Sequence, residues 1–479
     1  MKLKARVIVS FLCLFSFILI HSPAHASGSQ PKADGSTPPT MRVDYYHTGN
    51  SKQEWFSLDR VVIEPLPWPG DPEKAIDESQ LGNYRFEVRE KGSGKLLYSR
   101  GFNSVFGEWS STEEAQHANR TFSESLRFPT PAGPVEISLE ERKDGSFQQL
   151  WKTLVDPKDK FVDTSRPPSP GPLLELQKMG PSAEKVDLLL LGDGYTAKER
   201  GKFESDARRY METLFSTPPF REHRKDFNVW ALCPAAEESG VSRPSSGIHR
   251  RSPLGASYDT FGTERYVLTM ENRALRDVAS FAPYEFVEIL VNGATYGGGG
   301  IFNQYATVAM DNQWASYVGV HEFGHHFAGL ADEYYTSDVA YLPPETRTEP
   351  WEPNVTALLD PASLKWKELV EAGTPIPTPW DKDEFDRFER GIQQQRKELR
   401  AAGKPEAEME ELFRKEREKE DAMLASQKFA GKVGAFEGAN YESKGYYRPE
   451  LNCIMFTRHH AFCAVCRRAI ERAIRMYAK

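Results

Sequence analysis

The segment with the strongest chemical signal combines two histidines four residues apart with a glutamate directly after the first: His321, Glu322 and His325. Because an α-helix has about 3.6 residues per turn, side chains four apart lie on one face, so both imidazoles can reach one metal ion. The carboxylate of Glu322 lies beside that face, where it can accept a proton from a metal-activated water. The spacing therefore predicts a zinc site, with His321 and His325 as ligands and Glu322 as the catalytic base.

Apolar residues on both sides of this motif indicate a helix that packs into a core. Val318 and Val320 precede it, and Phe327 and Leu330 follow it. The competing interpretation is two histidines on an ordinary helix, but buried imidazoles still need a polar partner. A metal ion supplies that partner, so the setting favours the zinc site.

A third protein ligand is expected, because a catalytic zinc ion usually takes three and keeps one position for water. Gly329 can take the left-handed conformation that ends a helix and turns the chain back toward the metal. Asp332 follows it by three residues, as in the metzincin layout HExxHxxGxxH, although the glycine stands one residue later here. We predict Asp332 as the third ligand. Glu333 is its competitor, and a glutamate distant in sequence is the third choice.

A methionine turn is predicted downstream, at Asn452-Cys453-Ile454-Met455. A buried methionine is most often simple core filling, but a Cys-x-Met turn between the zinc helix and an amphipathic C-terminal helix has the order found in metzincins. Met455 is therefore predicted to form a hydrophobic floor beneath the metal. Nearby side chains could hold an oxyanion, and the candidates are Tyr446, Tyr447, Arg458, His459 and His460.

Several segments make the chain similar to a known family: HEFGHHFAGLADEYY from His321, Gly434 to Gly438, Tyr447 to Met455, and Phe462 to Cys466. They resemble the bacterial immunoglobulin A peptidase family of zinc metallopeptidases, and the resemblance extends to the stretch 186–195 and the β-rich part before it. It implies a metzincin-like endopeptidase, with zinc on the two histidines of the motif, catalysis by Glu322 and a Met-turn at Met455. Cleavage of immunoglobulin A belongs to the founding member and is not implied for every relative.

The first 26 residues have the organisation of a secretory signal peptide. Basic residues precede an apolar run from Val7 to Ile20, and Ala24-His25-Ala26 forms a small-residue cleavage site. No later segment approaches the roughly 20 apolar residues that a membrane span requires. We therefore expect a secreted or periplasmic protein without a membrane anchor.

The charge balance gives no sign of a nucleic acid partner. Lys and Arg number 61 against 69 Asp and Glu, for a formal net charge of −8. The expected partner is instead a protein or peptide substrate, and the expected cofactor is Zn²⁺.

The predicted fold class is α+β, with an N-terminal β-sandwich followed by a metzincin-like α/β zinc peptidase domain. Alternating apolar residues and an Asp144-Gly145 turn predict the sandwich over 27–155, and prolines predict a linker over 156–184. The catalytic domain is expected over 185–479. Its predicted strands are Val186–Leu191, Phe227–Leu232 and Phe286–Val291.

Two further segments of the catalytic part have open roles. Residues 381–428 are predicted to form a charged helical hairpin that is inserted before the Met-turn and turns at Gly403. Gly297 to Gly300 precede a strand pattern just before the zinc helix. They could let a substrate strand approach closely, or they could form a flexible loop.

Four cysteines follow the signal peptide: Cys233, Cys453, Cys463 and Cys466. Secretion favours disulfides, and four cysteines allow three pairings. Because no second CxxC or matching histidine is near, a structural cross-link around the Met-turn is favoured over a redox or zinc motif.

The predicted function is a secreted zinc endopeptidase that hydrolyses extracellular proteins by a Glu-assisted mechanism. One alternative is a secreted β-sandwich adhesin or binding protein that carries a catalytically silent zincin domain. The intact Glu322 argues against it. A second alternative is a zinc hydrolase that acts on a non-peptide amide.

Overall fold

The computed structural model describes residues 37–337, 339–343 and 346–479. The predicted signal peptide, residues 1–26, lies outside the described residues. Helices and sheets both occur in the described part, so the expected α+β class is confirmed. Within the same residues, no helix is both long and apolar enough to cross a membrane.

Seven antiparallel strands and one short helix form the N-terminal part. They are Pro39–Gly49 (β1), Glu54–Pro67 (β2), Tyr84–Glu90 (β3), Leu96–Phe102 (β4), Val105–Ser110 (α1), Arg120–Pro129 (β5), Val135–Lys143 (β6) and Ser146–Val155 (β7). Two sheets result, with the orders β2-β1-β5 and β4-β3-β6-β7. Alternate residues of β3, such as Phe86 and Val88, share one buried core with Met41 and Val43 of β1. The predicted turn at Asp144 joins β6 to β7.

A six-stranded sheet forms the framework of the second part, and a small two-stranded sheet accompanies it. The strands are Leu174–Gln177 (β8), Val186–Asp193 (β9), Phe227–Leu232 (β10), Ala256–Ser257 (β11), Leu268–Thr269 (β12), Phe286–Val291 (β13), Gly298–Ile301 (β14) and Tyr305–Ala309 (β15). The large sheet has the order β14-β15-β13-β9-β10-β8, with antiparallel strands only at its two edges. The predicted strands β9, β10 and β13 are present. All their residues are buried, as expected for parallel strands that are covered on both faces.

Helices cover the large sheet, and a last hairpin of strands precedes the C-terminal helix. The elements are Arg200–Leu214 (α2), Asn272–Ala279 (α3), Ala315–Ala328 (α4), Lys382–Ala401 (α5), Glu406–Ala425 (α6), Phe436–Ala439 (β16), Glu442–Arg448 (β17) and Ala464–Tyr477 (α7). Leu188 and Leu190 of β9 share a core with α2, α4 and α7. Leu189 and Leu191 face the opposite side, where they share a core with α3 and with α1 of the N-terminal part.

The predicted hairpin of residues 381–428 is confirmed as the helix pair α5 and α6. Its apolar stripe does not remain in solvent, because Phe385, Met409 and Phe413 are buried in the same core as α4. The predicted linker also has more structure than expected. Its end forms β8, the antiparallel edge strand of the large sheet, where a proline-rich segment can still pair. The domain boundaries at 155 and 184 remain predictions.

The cross-link expected near the Met-turn is wrong for this structure. All four cysteines of the described chain are free thiols. The sulfurs of Cys453 and Cys466 are 3.8 Å apart, whereas a disulfide requires about 2.05 Å.

Candidate metal centre

Helix α4 carries both histidines of the motif on the face that lines a cleft. The rings of His321 and His325 lie about one helical turn apart, and their Nε2 atoms are 3.1 Å apart. The apolar side of the helix packs into the core through residues such as Phe323 and Phe327. The helix therefore holds two imidazole nitrogens at a common point, as the four-residue spacing predicts.

Backbone carbonyls orient both rings through the nitrogens that face away from this point. The Nδ1 of His321 is 2.9 Å from the carbonyl oxygen of Ile454, and the Nδ1 of His325 is 2.5 Å from that of Leu330. A carbonyl can only accept, so each Nδ1 carries the proton and donates it. When a ring is neutral, its Nε2 has the lone pair directed toward the shared point, which is the tautomer that a metal ion requires.

A left-handed residue at the end of α4 brings a carboxylate to the same point. Gly329 caps the helix with φ 60° and ψ 36°, as predicted. Three residues later, Asp332 Oδ1 is 2.9 Å from His321 Nε2 and 3.3 Å from His325 Nε2. The hydroxyl of Tyr441 donates to the other oxygen, Oδ2, at 2.6 Å. Tyr441 thereby leaves Oδ1 as the oxygen that faces the histidines.

The three donor atoms have the spacing of metal ligands. A tetrahedral zinc ion with bonds of about 2.0–2.1 Å to nitrogen and oxygen separates its donors by about 3.3 Å. The observed separations are 2.9, 3.1 and 3.3 Å. His321, His325 and Asp332 therefore fit a zinc ion, and all three ligand atoms belong to one group that could hold a metal.

The electrostatics of the group also suit a cation. Burial alone would raise the pKa of Asp332, but the two imidazoles outweigh it and hold that pKa well below its usual range. Burial disfavours a charged His325, yet Asp332 raises its pKa to about 9. Without a metal ion the group therefore retains a proton, which a bound cation would displace.

Glu333, the alternative third ligand, and His326, the third histidine of the motif, both contact other groups. The Glu333 Oε1 atom is 3.4 Å from the sulfur of Cys466, on the side away from the two histidines. The ring of His326 is buried in the core, where its Nδ1 donates to the Ile301 carbonyl and its Nε2 accepts from the Val287 amide. Burial lowers the pKa of His326 to about 3, so it stays neutral.

Glu322 lies half-buried in the wall of the same cleft as the two histidines. Burial raises the pKa of its carboxyl above the usual value, although the neighbouring imidazoles oppose that effect. A raised pKa brings a carboxylate closer to the range in which it exchanges protons efficiently near neutral pH. Glu322 therefore lies in the wall of this cleft with a raised proton affinity, and its role as the catalytic base stays a prediction.

The glycines of the stretch 297–300 have a structural role that the sequence left open. The last three of them belong to β14, which lies directly against α4. A Cβ on Gly300 would lie 2.3 Å from the Glu322 carbonyl oxygen and 3.0 Å from His325 Cβ. The close approach that glycine permits here is therefore between β14 and the histidine helix.

Met455 is fully buried beneath α4. A Cβ on Gly324, in the middle of that helix, would lie 3.3 Å from the sulfur of Met455. The backbone carbonyl of Met455 accepts a hydrogen bond from the Glu333 amide at 2.8 Å. Met455 thus lies against the underside of the histidine helix, while its backbone is hydrogen-bonded to the loop segment that bears Asp332.

Most of the predicted oxyanion candidates are directed toward other partners. Arg458, His459 and His460 contact residues of α6: Glu416, Asp421 and Arg417, respectively. The backbone of Tyr447 pairs with Thr356. Tyr446 does line the cleft.

Tyr334, which sequence reasoning did not single out, also lines the cleft. Its ring stacks parallel to that of His321 at 6.4 Å between centroids, and its hydroxyl accepts from Arg265 at 3.3 Å. Burial raises the pKa of Tyr334, so its phenol keeps its proton at neutral pH. It lies inside the motif, but only the folded chain reveals that its hydroxyl belongs to the cleft.

The cleft around these residues has a volume of about 1010 Å³. Its walls include Glu108 of α1 and Arg142 of β6, so the N-terminal part contributes to it directly. Burial raises the pKa of Glu108 to about 6. A cleft of this size is large enough to hold a ligand such as an extended peptide segment.

Comparison with protein families gives two matches that together cover nearly the whole chain. Residues 174–474 match the family described as IgA Peptidase M64. Residues 33–152 match the family described as Peptidase M64 N-terminus. No curated protein matches the chain. The resemblance inferred from the motifs is confirmed by these two matches.

Proposed function

The chain belongs to the IgA peptidase M64 family of metallopeptidases, and from this premise we propose that it is a secreted zinc-dependent endopeptidase that hydrolyses extracellular proteins. The observation that carries the proposal is the convergence of three donor atoms, from His321, His325 and Asp332, within 3.3 Å of one another. They meet in a cleft that Glu322 also lines.

His321, His325 and Asp332 would hold the zinc ion, and Glu322 would transfer the proton. A bound zinc ion supplies Lewis-acid polarisation of the scissile carbonyl and makes water acidic enough to lose a proton near neutral pH. Glu322 accepts that proton and then delivers it to the leaving amine, as a carboxylate with a raised pKa can do. The carbonyls of Ile454 and Leu330 keep both rings in the ligand tautomer throughout.

Tyr334 is our candidate donor to the oxyanion that forms during hydrolysis. It remains a neutral phenol at the pH of catalysis, and its contact with Arg265 positions the hydroxyl at the cleft. A neutral donor that is already in place costs little reorganisation when negative charge develops.

The proposed function implies a specific fold for each of the two parts. We interpret the two N-terminal sheets as a β-sandwich, because they share one core, and the second part as a metzincin-like domain with a Met-turn at Met455. Secretion follows from the signal-peptide pattern of residues 1–26.

The test is hydrolysis of casein or gelatin by the purified mature protein, with and without a chelator, followed by zinc addition. We expect cleavage that the chelator abolishes and zinc restores. The matched control is Glu322→Gln, which preserves shape but cannot accept the proton. It should keep its zinc while losing about 10²–10⁴-fold in rate.

Terminal-peptide profiling of cleaved extracellular proteins would then define the preferred side chains. Cleavage that persists in a metal-replete Glu322→Gln variant would remove Glu322 from the mechanism. A zinc-loaded protein that cleaves no protein or peptide would instead favour a silent binding protein, or a hydrolase of non-peptide amides.

A further inference from the structure

A second cluster of metal-ligating side chains lies below the cleft, outside the proposed catalytic site. Cys453 comes from the turn before Met455, Cys463 and Cys466 come from the N-terminus of α7, and Glu333 follows Asp332. All four side chains are buried. Their four ligand atoms lie within 4.8 Å of one another.

Three of the six distances between donor atoms in this cluster are close to those of a tetrahedral metal site. Zinc bound at about 2.3 Å to sulfur and about 2.0–2.2 Å to oxygen separates two sulfurs by about 3.8 Å, and sulfur from oxygen by about 3.5 Å. The sulfurs of Cys453 and Cys466 are 3.8 Å apart. Glu333 Oε1 is 3.4 Å from the Cys466 sulfur and 3.9 Å from the Cys463 sulfur.

Hydrogen bonds from the backbone hold two of the sulfurs, and a side-chain amide holds the carboxylate. Backbone amides donate to two of the sulfurs: Cys463 N to Cys453 Sγ at 3.2 Å, and Cys466 N to Cys463 Sγ at 3.4 Å. The positive end of the α7 dipole favours negative sulfur. Asn354 donates to Glu333 Oε1 at 2.9 Å. The other oxygen, Oε2, is buried and has no hydrogen-bond partner among the described residues.

We propose that Cys453, Cys463, Cys466 and Glu333 form a second zinc site, with a structural role. Three thiolates select a soft or borderline metal ion and disfavour calcium and magnesium, which prefer oxygen ligands. Four protein donors complete a tetrahedral ion, so no position is left for water or substrate. Fully buried Arg448 compensates part of the negative charge through its interaction with Glu333.

A zinc ion in the second site would stabilise the positions of the catalytic ligands. This part of the inference rests on the proposed function. The ion fixes Glu333 next to the ligand Asp332, and the Glu333 amide already donates to the Met455 carbonyl at 2.8 Å. It also fixes Cys453, which is followed by the Ile454 carbonyl that orients His321 at 2.9 Å. One ion would thus join the loop segment of the third catalytic ligand, the Met-turn and α7.

The zinc content of the full mature protein tests the proposal. We expect two zinc ions per chain. Cys453→Ser and Cys466→Ser should each reduce the content to one and lower the melting temperature, while Cys233→Ser, the matched control outside the cluster, should keep two. A parent protein with a single zinc ion that His321→Ala removes would overturn the second site and leave the proposed function intact.

Cobalt substitution keeps the test decisive if the cysteine variants do not fold. The double variant His321→Ala, His325→Ala retains the cysteine cluster, so with Co²⁺ it should show thiolate-to-cobalt charge-transfer absorption. Histidine and carboxylate ligands alone cannot produce that absorption. No thiolate band in this variant, or a disulfide between Cys453 and Cys466 found by peptide mapping of the parent, would overturn the proposal. A parent protein that shows the band with Co²⁺ but, loaded with zinc, hydrolyses no protein or peptide would refute only the proposed function.

Discussion

The two adjacent carboxylates after Gly329 face two different groups of side chains. Asp332 faces His321 and His325 at 2.9 and 3.3 Å, whereas Glu333 faces the cysteine sulfurs at 3.4 and 3.9 Å. The two neighbouring side chains point toward different groups, and Asp332 is the one that reaches the histidines. The choice between Asp332 and Glu333 therefore depends on which side of the segment faces α4.

The hydroxyl of Tyr441 is predicted to tune metal affinity by holding Asp332. Tyr441→Phe removes the donor to Oδ2 at 2.6 Å and leaves that oxygen buried. Loss of such a supporting hydrogen bond typically costs 10–100-fold in affinity. Zinc competition with a chromophoric chelator measures it, and Tyr46→Phe, in β1 and outside the cleft, serves as the control. Equal affinities in the two variants would contradict the role of Tyr441.

Glu288 of β13 is predicted to make stability depend on pH. It is fully buried, and burial raises its pKa well above the usual value. The folded state therefore retains a proton that the unfolded chain releases above about pH 4.3. The stability contribution is complete below that pH and is lost as the pH rises toward the folded pKa, by about 1.4 kcal/mol per pH unit.

Glu288→Gln removes this titration while preserving shape. The free energy of unfolding of the variant should equal that of the parent below about pH 4. As the pH rises, the variant should become increasingly more stable than the parent. Melting temperatures from pH 4 to 8 measure the difference, with the exposed Glu78→Gln as control. A difference that does not change with pH would show that Glu288 does not titrate as described.

At the scale of elements, the turn after α4 determines whether the third ligand reaches the histidines. Gly329 adopts φ 60°, and a Cβ there would lie 2.7 Å from the Trp351 ring. Gly329→Ala should cost at least about 1–2 kcal/mol, because an L-residue is strained in this conformation, and it should also weaken zinc binding by displacing Asp332.

The matched control is Gly391→Ala in α5, where an added Cβ meets no atom within 4 Å. That change should stabilise the protein by about 0.4–1 kcal/mol. Chemical unfolding and zinc content are measured for both variants. If Gly329→Ala retains parental stability and zinc, the conformation of Gly329 is not required for the site.

At the scale of the whole molecule, the N-terminal part packs against the catalytic part and shares a hydrophobic core with it. Trp109 of α1 is fully buried in the same core as Leu189 and Leu191 of β9. Hydrogen bonds also cross between the two parts, such as Asn303 Nδ2 to the Gly101 carbonyl at 2.7 Å. The described chain accordingly forms a single compact unit.

Trp109→Ala is therefore predicted to destabilise both parts together. Deletion of a large buried aromatic costs about 3–5 kcal/mol, and calorimetry should show one transition at a lower temperature, with peptidase activity lost over the same range. Phe161→Ala, where the side chain is 82% exposed, should change little. Two separate transitions in the Trp109 variant would mean that the parts fold independently.

The sequence alone was sufficient wherever the signal is local. The four-residue spacing of His321 and His325 identifies one helix face, continuous apolar runs predict β9, β10 and β13, and Gly329 predicts the end of α4. These features depend on helical and strand periodicity and on backbone conformation, which residues within a few positions of one another determine.

Only the tertiary structure decided the features that join distant segments. The separation between Glu333 and Cys463 in the chain is 130 residues, and Tyr441 reaches Asp332 across 109. A search for ligands close to the Cys463-x-x-Cys466 motif in sequence reaches Cys453, ten residues before Cys463, but it cannot find Glu333. Side-chain types give the chemistry of such groups, but the packing of α4, α7 and the Met-turn on the central sheet determines which of them meet.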